Sequence, residues 1–131
     1  TPIKLSPTPL PFSKLILSQH ITTNTANPNG STNSKEQNVL SLFKHCSTIK
    51  HIKQIHAHII KSGFVQNLFV TGKIVVFCAV SEHGSMGYAE SVFGKIENPD
   101  GFLWNTMIRG FGRTSEVGKV FEYYKRMQDR G

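Results

Sequence analysis

The feature that most restricts the fold of this chain is an internal repetition of its apolar pattern. Apolar residues near the middle recur at one constant offset near the end: Ile52 is matched by Val120, Ile55 by Tyr123 and Ile59 by Met127. This offset is twice the roughly 34-residue period of helix–turn–helix repeats, so a middle copy is expected. It lies close to one period before the last copy, at Ala89, Val92 and Phe93. The offsets predict three copies of one unit.

Each copy has the pattern of a helical hairpin. In the last copy, apolar residues fall on one side of a 3.6-residue period both before and after the polar break at 112–115. Two amphipathic helices joined by so short a turn form an antiparallel pair. The predicted fold is an all-α solenoid of about three such pairs, following a disordered N-terminal segment. Helices are predicted at 38–46, 50–62, 68–80, 86–95, 101–112 and 116–129.

Residues that typically begin or end helices divide this pattern further. Side chains able to cap a helix N-terminus precede the predicted helices: Ser34, with capping-box spacing to Gln37, then Thr48, Asn67, Ser85 and Asp100. Gly63 is placed to end the second helix, and Pro99 to prevent continuation of the fourth. The predicted organisation is a segment at 1–35 and repeats at 36–67, 68–100 and 101–131, the last incomplete at its C-terminal end.

The N-terminal segment differs in composition from the remainder. Residues 1–35 contain no Asp or Glu, eleven Ser or Thr and five of the six prolines. Such a segment buries too little apolar surface to order itself, and its acid-free, hydroxyl-rich character is typical of an organelle transit peptide. An ordinary disordered tail is the alternative. The absence of arginine favours a plastid slightly over a mitochondrion. A first residue of Thr rather than Met indicates a fragment or a processed form.

The composition and the motifs argue against a membrane span, a metal site and a catalytic site. The net charge of +7 favours anionic partners, and no apolar run is long enough to span a membrane. Cys46 and Cys78 are interpreted as reduced thiols on helix faces. His56 and His58 are two residues apart on one helix and point to different sides, so no metal site is predicted. No nucleophile–base arrangement or phosphate loop is present. The chain is predicted to be no enzyme, with no cofactor and no small-molecule substrate.

Three stretches resemble pentatricopeptide repeats. Residues 102–110, Phe-Leu-Trp-Asn-Thr-Met-Ile-Arg-Gly, resemble the opening of a repeat. Residues 88–100 resemble the end of a short-type repeat, and 52–63 the second helix of a long-type repeat. Alternating long and short types imply the plant subfamily that acts in organellar RNA editing and processing. The resemblance implies sequence-specific binding of single-stranded organellar RNA, with editing-complex proteins as further partners, in a chloroplast or mitochondrion.

The resemblance also implies which residues read bases. In this family one base is read by an early residue of the first helix and the last residue of the same repeat. Asn105 matches the early position of the third repeat, and its amide offers a donor and an acceptor to a base edge. Asp100 matches the closing position of the second repeat, where helix capping is an equal alternative. That repeat has Gly72, without a side chain, at its early position, and the first repeat has Gln37.

Basic residues on or near the first helices are candidates for phosphate contacts, which add affinity without sequence information. They are Lys44, Lys73, Arg109 and Arg113. Trp104 is predicted to pack between helices rather than on a base. The competing interpretation is a protein–protein interaction scaffold of the tetratricopeptide type, which uses the same hairpins. A third is a longer RNA-modifying enzyme with a deaminase-like domain, whose zinc ligands this chain lacks.

Overall fold

The computed structural model describes Phe12 and residues 32–130, and all of its regular structure in that part of the chain is helical. The helices are α1 Thr32–Leu42, α2 Ile49–Ser62, α3 Leu68–Val80, α4 Met86–Phe93, α5 Gly101–Gly112 and α6 Val117–Asp129. A short 3₁₀ turn, Phe43–His45, follows α1. The all-α fold is confirmed. The predicted disorder of residues 1–35 falls almost entirely outside the described residues.

Four of the six predicted helices match the observed bounds to within one residue, and α4 ends two residues early, at Phe93. The prediction for the first helix was wrong. It begins at Thr32, so Ser34 lies inside it rather than at its cap. The run Ser-Thr-Asn-Ser at 31–34 offers four residues of the N-cap type. Capping chemistry alone therefore cannot choose among them.

The other predicted caps are confirmed. Thr48, Asn67, Ser85 and Asp100 each accept a hydrogen bond from the backbone N–H three residues later. Gly63 ends α2 with φ 79°, in the left-handed region that glycine adopts without strain. Five short polar or glycine signals thus divide the chain into helices of defined length.

The helices form three consecutive pairs, α1/α2, α3/α4 and α5/α6. The first helix of the middle pair, α3, packs against the first helices on both sides, α1 and α5. The second helices also reach forward, because α2 contacts α3 and α4 contacts α5. Buried apolar residues from all six helices form one cluster. The pairs therefore stack as a helical repeat array with a continuous core.

Polar contacts join successive pairs at sequence separations of about one repeat. The Gln66 side chain donates to Lys95 O at 3.1 Å and accepts from Glu97 N at 3.2 Å. His56 Nδ1 lies 2.6 Å from Tyr88 Oη. Burial, together with the charge of Lys95, lowers the pKa of His56. The neutral ring can therefore accept a hydrogen bond from the Tyr88 hydroxyl. These contacts fix the register between neighbouring pairs.

Trp104 belongs to an aromatic cluster between the second and third pairs. It is 3% exposed, with its ring 4.7 Å from Phe93 and 6.0 Å from Tyr123 between centroids. The Arg126 guanidinium lies 5.5 Å from the Trp104 ring and 4.8 Å from the Tyr123 ring, within range of cation–π attraction. The prediction that Trp104 packs between helices is confirmed.

Two details differ from what the sequence suggests. Ile60 is apolar and follows the buried Ile59 on α2, yet it is 52% exposed. Cys46 was predicted on a helix face, but it lies after the 3₁₀ turn and is half-buried. Cys78 is buried on α3, and this burial raises the pKa of its thiol to about 11. Both cysteines are free. No helix among the described residues is long and apolar enough to cross a bilayer.

At Gly110, α5 lies very close to the second pair. A Cβ at this position would lie 2.5 Å from Met86 Sδ and 2.9 Å from Ala79 Cβ. We expect Gly110→Ala to lower the free energy of unfolding by about 1–3 kcal/mol, because overpacking outweighs the better helix propensity of alanine. Urea denaturation followed by circular dichroism measures the change.

Gly118 provides the matched control for this substitution. It also lies in a helix, but a Cβ there would meet nothing within 4 Å. Gly118→Ala is therefore expected to raise the free energy of unfolding by up to about 1 kcal/mol. Stabilisation by both alanines would contradict the close approach at Gly110.

Candidate nucleic-acid interface

The first helices share an exposed side, which we call the first-helix face. On α5 it carries Phe102, Asn105 and Arg109, at i, i+3 and i+7, and these side chains lie on one side of the helix. The buried residues of α5, such as Leu103 and Met107, occupy the opposite side. On the other two first helices, the exposed or half-buried residues of this side are Phe69, Lys73 and Val76 on α3, and Gln37, Ser41 and Lys44 along α1 and the 3₁₀ turn.

An apolar groove of 690 Å³ runs along this face between α3 and α5. Its lining is formed by Phe43, Leu68, Phe69, Gly72, Lys73, Val76, Phe77, Asp100, Phe102 and Leu103. Phe69 and Phe102 are 76% and 65% exposed, so both rings present a large surface to a ligand. Lys73 and Asp100 are its charged residues and have opposite signs. The groove is thus suited to a flat, mainly uncharged group.

Gly72 occupies a buried position in α3 beneath this groove. A Cβ there would lie 3.2 Å from Leu103 Cδ2, tighter than ordinary contact. The glycine therefore allows α5 to approach α3 closely. This explains why α3 has no side chain at the position that corresponds to Asn105.

A second groove, of 380 Å³, lies beside the first and is more polar. Its lining is formed by Gln37, Leu40, Ser41, Phe43, Lys44 and Lys73. Lys44 and Lys73 are both exposed, and Lys73 lines both grooves. Two ammonium groups at one groove attract an anion such as a phosphate. The structure thus brings together two of the four predicted phosphate contacts.

Asp100 sits at the mouth of the apolar groove as the N-cap of α5. Its Oδ1 accepts a hydrogen bond from Leu103 N at 2.9 Å. The capping role is therefore present in the structure. A carboxylate has two oxygens, and the side chain is exposed, so capping and contact with a ligand are compatible at this residue.

The remaining predicted residues lie outside both grooves. Asn105 and Arg109 are exposed on the same side of α5 as Phe102. Arg113 follows the end of α5, and its Nη1 donates to Val80 O at 2.7 Å. This bond joins the ends of α3 and α5 and gives Arg113 a structural role. Any phosphate contact would use its other N–H groups.

Sequence reasoning missed Phe69 and Phe102. The signal was present, because the repeat offset that relates α3 to α5 also relates these two phenylalanines. Both lie in the first turns of their helices, and Phe102 precedes Asn105 by three residues, which places them on one side. An aromatic residue repeated at an exposed position indicates a binding surface rather than a core.

The histidines do not form a metal centre in the part of the chain that the structure describes. His58 is buried, whereas His56 is half-buried and directed towards Tyr88. Residues 35–130 contain no group of three or more His, Cys, Asp or Glu side chains able to hold a metal ion together.

Comparison with known proteins gives a consistent family. Residues 102–131 match the family model described as PPR repeat. A mitochondrial pentatricopeptide repeat-containing protein of Arabidopsis thaliana is 37% identical over 93 residues, which is 71% of this chain and 14% of that protein. A chloroplastic one from the same organism is 36% identical over 111 residues, which is 85% of this chain and 18% of that protein.

The chain therefore spans less than a fifth of the length of these two relatives. No solved structure matches it. The helical pairs, the repeated first-helix positions and the relatives agree with the resemblance found in the sequence. The chain belongs to the pentatricopeptide repeat family.

Proposed function

We propose that the chain binds single-stranded RNA along its first-helix face and reads a base at Asn105. The observation that carries this proposal is the exposed side of α5, where Phe102, Asn105 and Arg109 follow one another. Together they supply an aromatic ring, an amide and a cation. These groups suit the π-face of a base, its Watson–Crick edge and a phosphate, respectively.

The grooves support the same proposal. Bases stack on exposed aromatic rings with little regard to sequence, and Phe69 and Phe102 offer two such rings beside the apolar groove. Lys44 and Lys73 line the adjoining polar groove, where a phosphate would be neutralised. Asp100 is the proposed second base-reading residue, since its carboxylate accepts hydrogen bonds from base N–H groups.

Asn105→Ala tests base reading. We expect the affinities of the chain for the four homopolymeric RNAs to converge, with a loss on the order of 1–3 kcal/mol for the preferred base. Fluorescence anisotropy at one fixed salt concentration measures these affinities. Asn105 is exposed, so its replacement should leave the circular dichroism spectrum unchanged.

Arg109→Ala is the matched control, because Arg109 lies one turn further along the same side of α5. It should weaken binding to all four RNAs alike and lower the salt dependence, since only a phosphate contact is removed. Equal losses for every RNA after Asn105→Ala would refute base reading at this residue.

One observation favours a second candidate, a protein-interaction scaffold. The apolar groove is lined mainly by hydrocarbon and carries one cation and one anion, so it also suits an apolar side chain of a bound peptide. No binding to any RNA in the experiment above would decide for this candidate.

The finer assignments are part of the proposal. Repeats at 36–67, 68–100 and 101–131 are proposed: the second and third begin where α3 and α5 begin, whereas α1 already begins at Thr32, before the proposed start at 36. The lengths of α2 and α4, 14 and 8 residues, support the long and short types. On the basis of that alternation and of the resemblance in the sequence, we propose membership of the alternating subfamily, a role in RNA editing or processing, and editing-complex partners. Targeting by residues 1–35 is supported by relatives that are named mitochondrial or chloroplastic.

A further inference from the structure

The first helical pair carries most of the excess positive charge of the helical part. Residues 36–67 contain four lysines and one glutamate, whereas residues 68–131 contain eight basic and seven acidic residues. Three of the four lysines are on α2, which has no Asp or Glu. The charge is thus concentrated on one helix rather than spread over the array.

These lysines form one surface, which we call the lysine face: Lys50, Lys53 and Lys61. All three are exposed and lie on one side of α2, opposite Ile52 and Ile55, which are fully buried. Lys50 and Lys61 are eleven residues apart, or about 16 Å along the helix. The lysine face is therefore a row of cations held by a helix whose other side is anchored in the core.

Nothing in the described residues neutralises this row. None of its three lysines takes part in an ion pair there, and Glu90 on the neighbouring α4 is paired with Lys119 at 2.9 Å. Residues 1–35 hold no acidic residue that could neutralise it. An uncompensated row of like charges raises the local concentration of anionic ligands.

The lysine face is distinct from the first-helix face. The two grooves are lined by residues of α1, the 3₁₀ turn, α3 and α5 with its cap, and by none from α2. A ligand could therefore occupy both surfaces at once.

We propose that the lysine face is a second docking surface, which binds the phosphate backbone of single-stranded RNA without reading its bases. The proposal rests on RNA being the ligand of the chain. An anionic membrane is less well matched, because interfacial helices insert their apolar side into lipid. The apolar side of α2 is already buried, and Ile60 is the large apolar residue exposed beside the lysines. A long RNA would gain affinity from this surface that a short one lacks.

The test combines Lys50→Ala and Lys61→Ala in one double variant of the full chain, and poly(U) serves as the probe. Each phosphate contact contributes about 0.7 to the slope of log affinity against log salt concentration. We expect the slope to fall by about 1.4 and the affinity at low salt to fall on the order of tenfold. Lys53 is left in place because its ammonium lies 5.8 Å from the Tyr88 ring centroid and contributes to packing.

The control is the double variant Lys35→Ala with Lys125→Ala, which removes the same charge from exposed sites on α1 and α6. It should change the slope little. Equal slopes for both double variants would overturn the proposal while leaving base reading at Asn105 intact. Failure of the unmodified chain to bind poly(U) or any other RNA would instead overturn the proposed function and this inference together.

If the lysine face instead binds an anionic membrane, the same double variant should give a different result. If the double variant of the lysine face loses binding to phosphatidylserine vesicles but keeps full affinity for poly(U), the surface belongs to a lipid partner and the proposal is overturned. Unchanged vesicle binding together with the lowered RNA slope supports it.

Discussion

Alanine at position 104 is expected to lower the free energy of unfolding by about 3–5 kcal/mol, the range observed when a buried Trp is truncated. Trp104 is 3% exposed and lies between Phe93 and Tyr123, so its removal leaves a cavity between the second and third pairs. The Arg126 guanidinium would also lose its cation–π contact with the Trp104 ring. A domain of this size has only about 5–15 kcal/mol in total, so the loss is large.

Urea denaturation followed by far-ultraviolet circular dichroism measures the effect. Trp104 is the single tryptophan of the chain, so its fluorescence cannot be used for the variant. The urea midpoint should fall. The m-value, which is the slope of the unfolding free energy against urea concentration, should stay the same, because the surface exposed on unfolding changes little. A lower slope would mean that the third pair is already unfolded in the variant before urea is added.

The adjacent residue provides the control. Asn105 is exposed, and its replacement by alanine should change the free energy of unfolding by less than about 0.5 kcal/mol. Substitutions at two adjacent residues are thus expected to affect different properties: Trp104→Ala lowers stability, and Asn105→Ala alters RNA recognition. Similar urea midpoints for Trp104→Ala and the unmodified chain would contradict the packing role of the aromatic cluster.

Local chemistry explains why most of the fold could be predicted from the sequence. Thr48, Asn67, Ser85 and Asp100 are each followed by an apolar period of 3.6 residues, and a capped amphipathic helix results whatever its neighbours are. The repeat offsets then require the pairs to stack, because a single pair cannot bury its own apolar side. The first helix was the exception, since several capping residues there are equivalent.

Contacts between distant residues could not be predicted in this way. Gly72 suggested only a missing side chain, whereas its reason is the approach of Leu103 from the first helix of the next pair. The bond from Arg113 to the Val80 carbonyl likewise depends on the packing of α5 against α3. Exposure of Ile60 depends on how the second helices are placed. Sequence periodicity gives the side of one helix, but not what faces it.

The proposed base-reading residue Asn105 and the apolar groove illustrate the same limit. Asn105 was predicted from its match to the family pattern, and the structure places it on an exposed side of α5. The apolar groove needs residues from α3 and α5, together with Phe43 of the 3₁₀ turn and the cap residue Asp100. Because Phe69 and Phe102 are apolar, a pattern-based analysis assigns them to the core, and only their 76% and 65% exposure reveals a surface.

These two phenylalanines give the largest expected effect on binding. Replacing both Phe69 and Phe102 by alanine should weaken RNA binding by about 2–6 kcal/mol, at about 1–3 kcal/mol for each stacked base. Fluorescence anisotropy with a single-stranded RNA measures the loss. The salt dependence should stay the same, since no cation is removed. Folding should be preserved, because rings so exposed contribute little to the core.

Phe121 separates a specific loss from a general effect of removing exposed rings. It is 69% exposed on α6, together with Val117 and Tyr124, and lines neither groove. Phe121→Ala should therefore leave RNA affinity unchanged. If it weakens binding as much as Phe69→Ala or Phe102→Ala does, the rings of the first-helix face are not a stacking site. If none of the three substitutions changes RNA binding, the result favours the second candidate, in which the apolar groove binds a peptide. In that case, replacing Phe69 and Phe102 should weaken binding of the peptide.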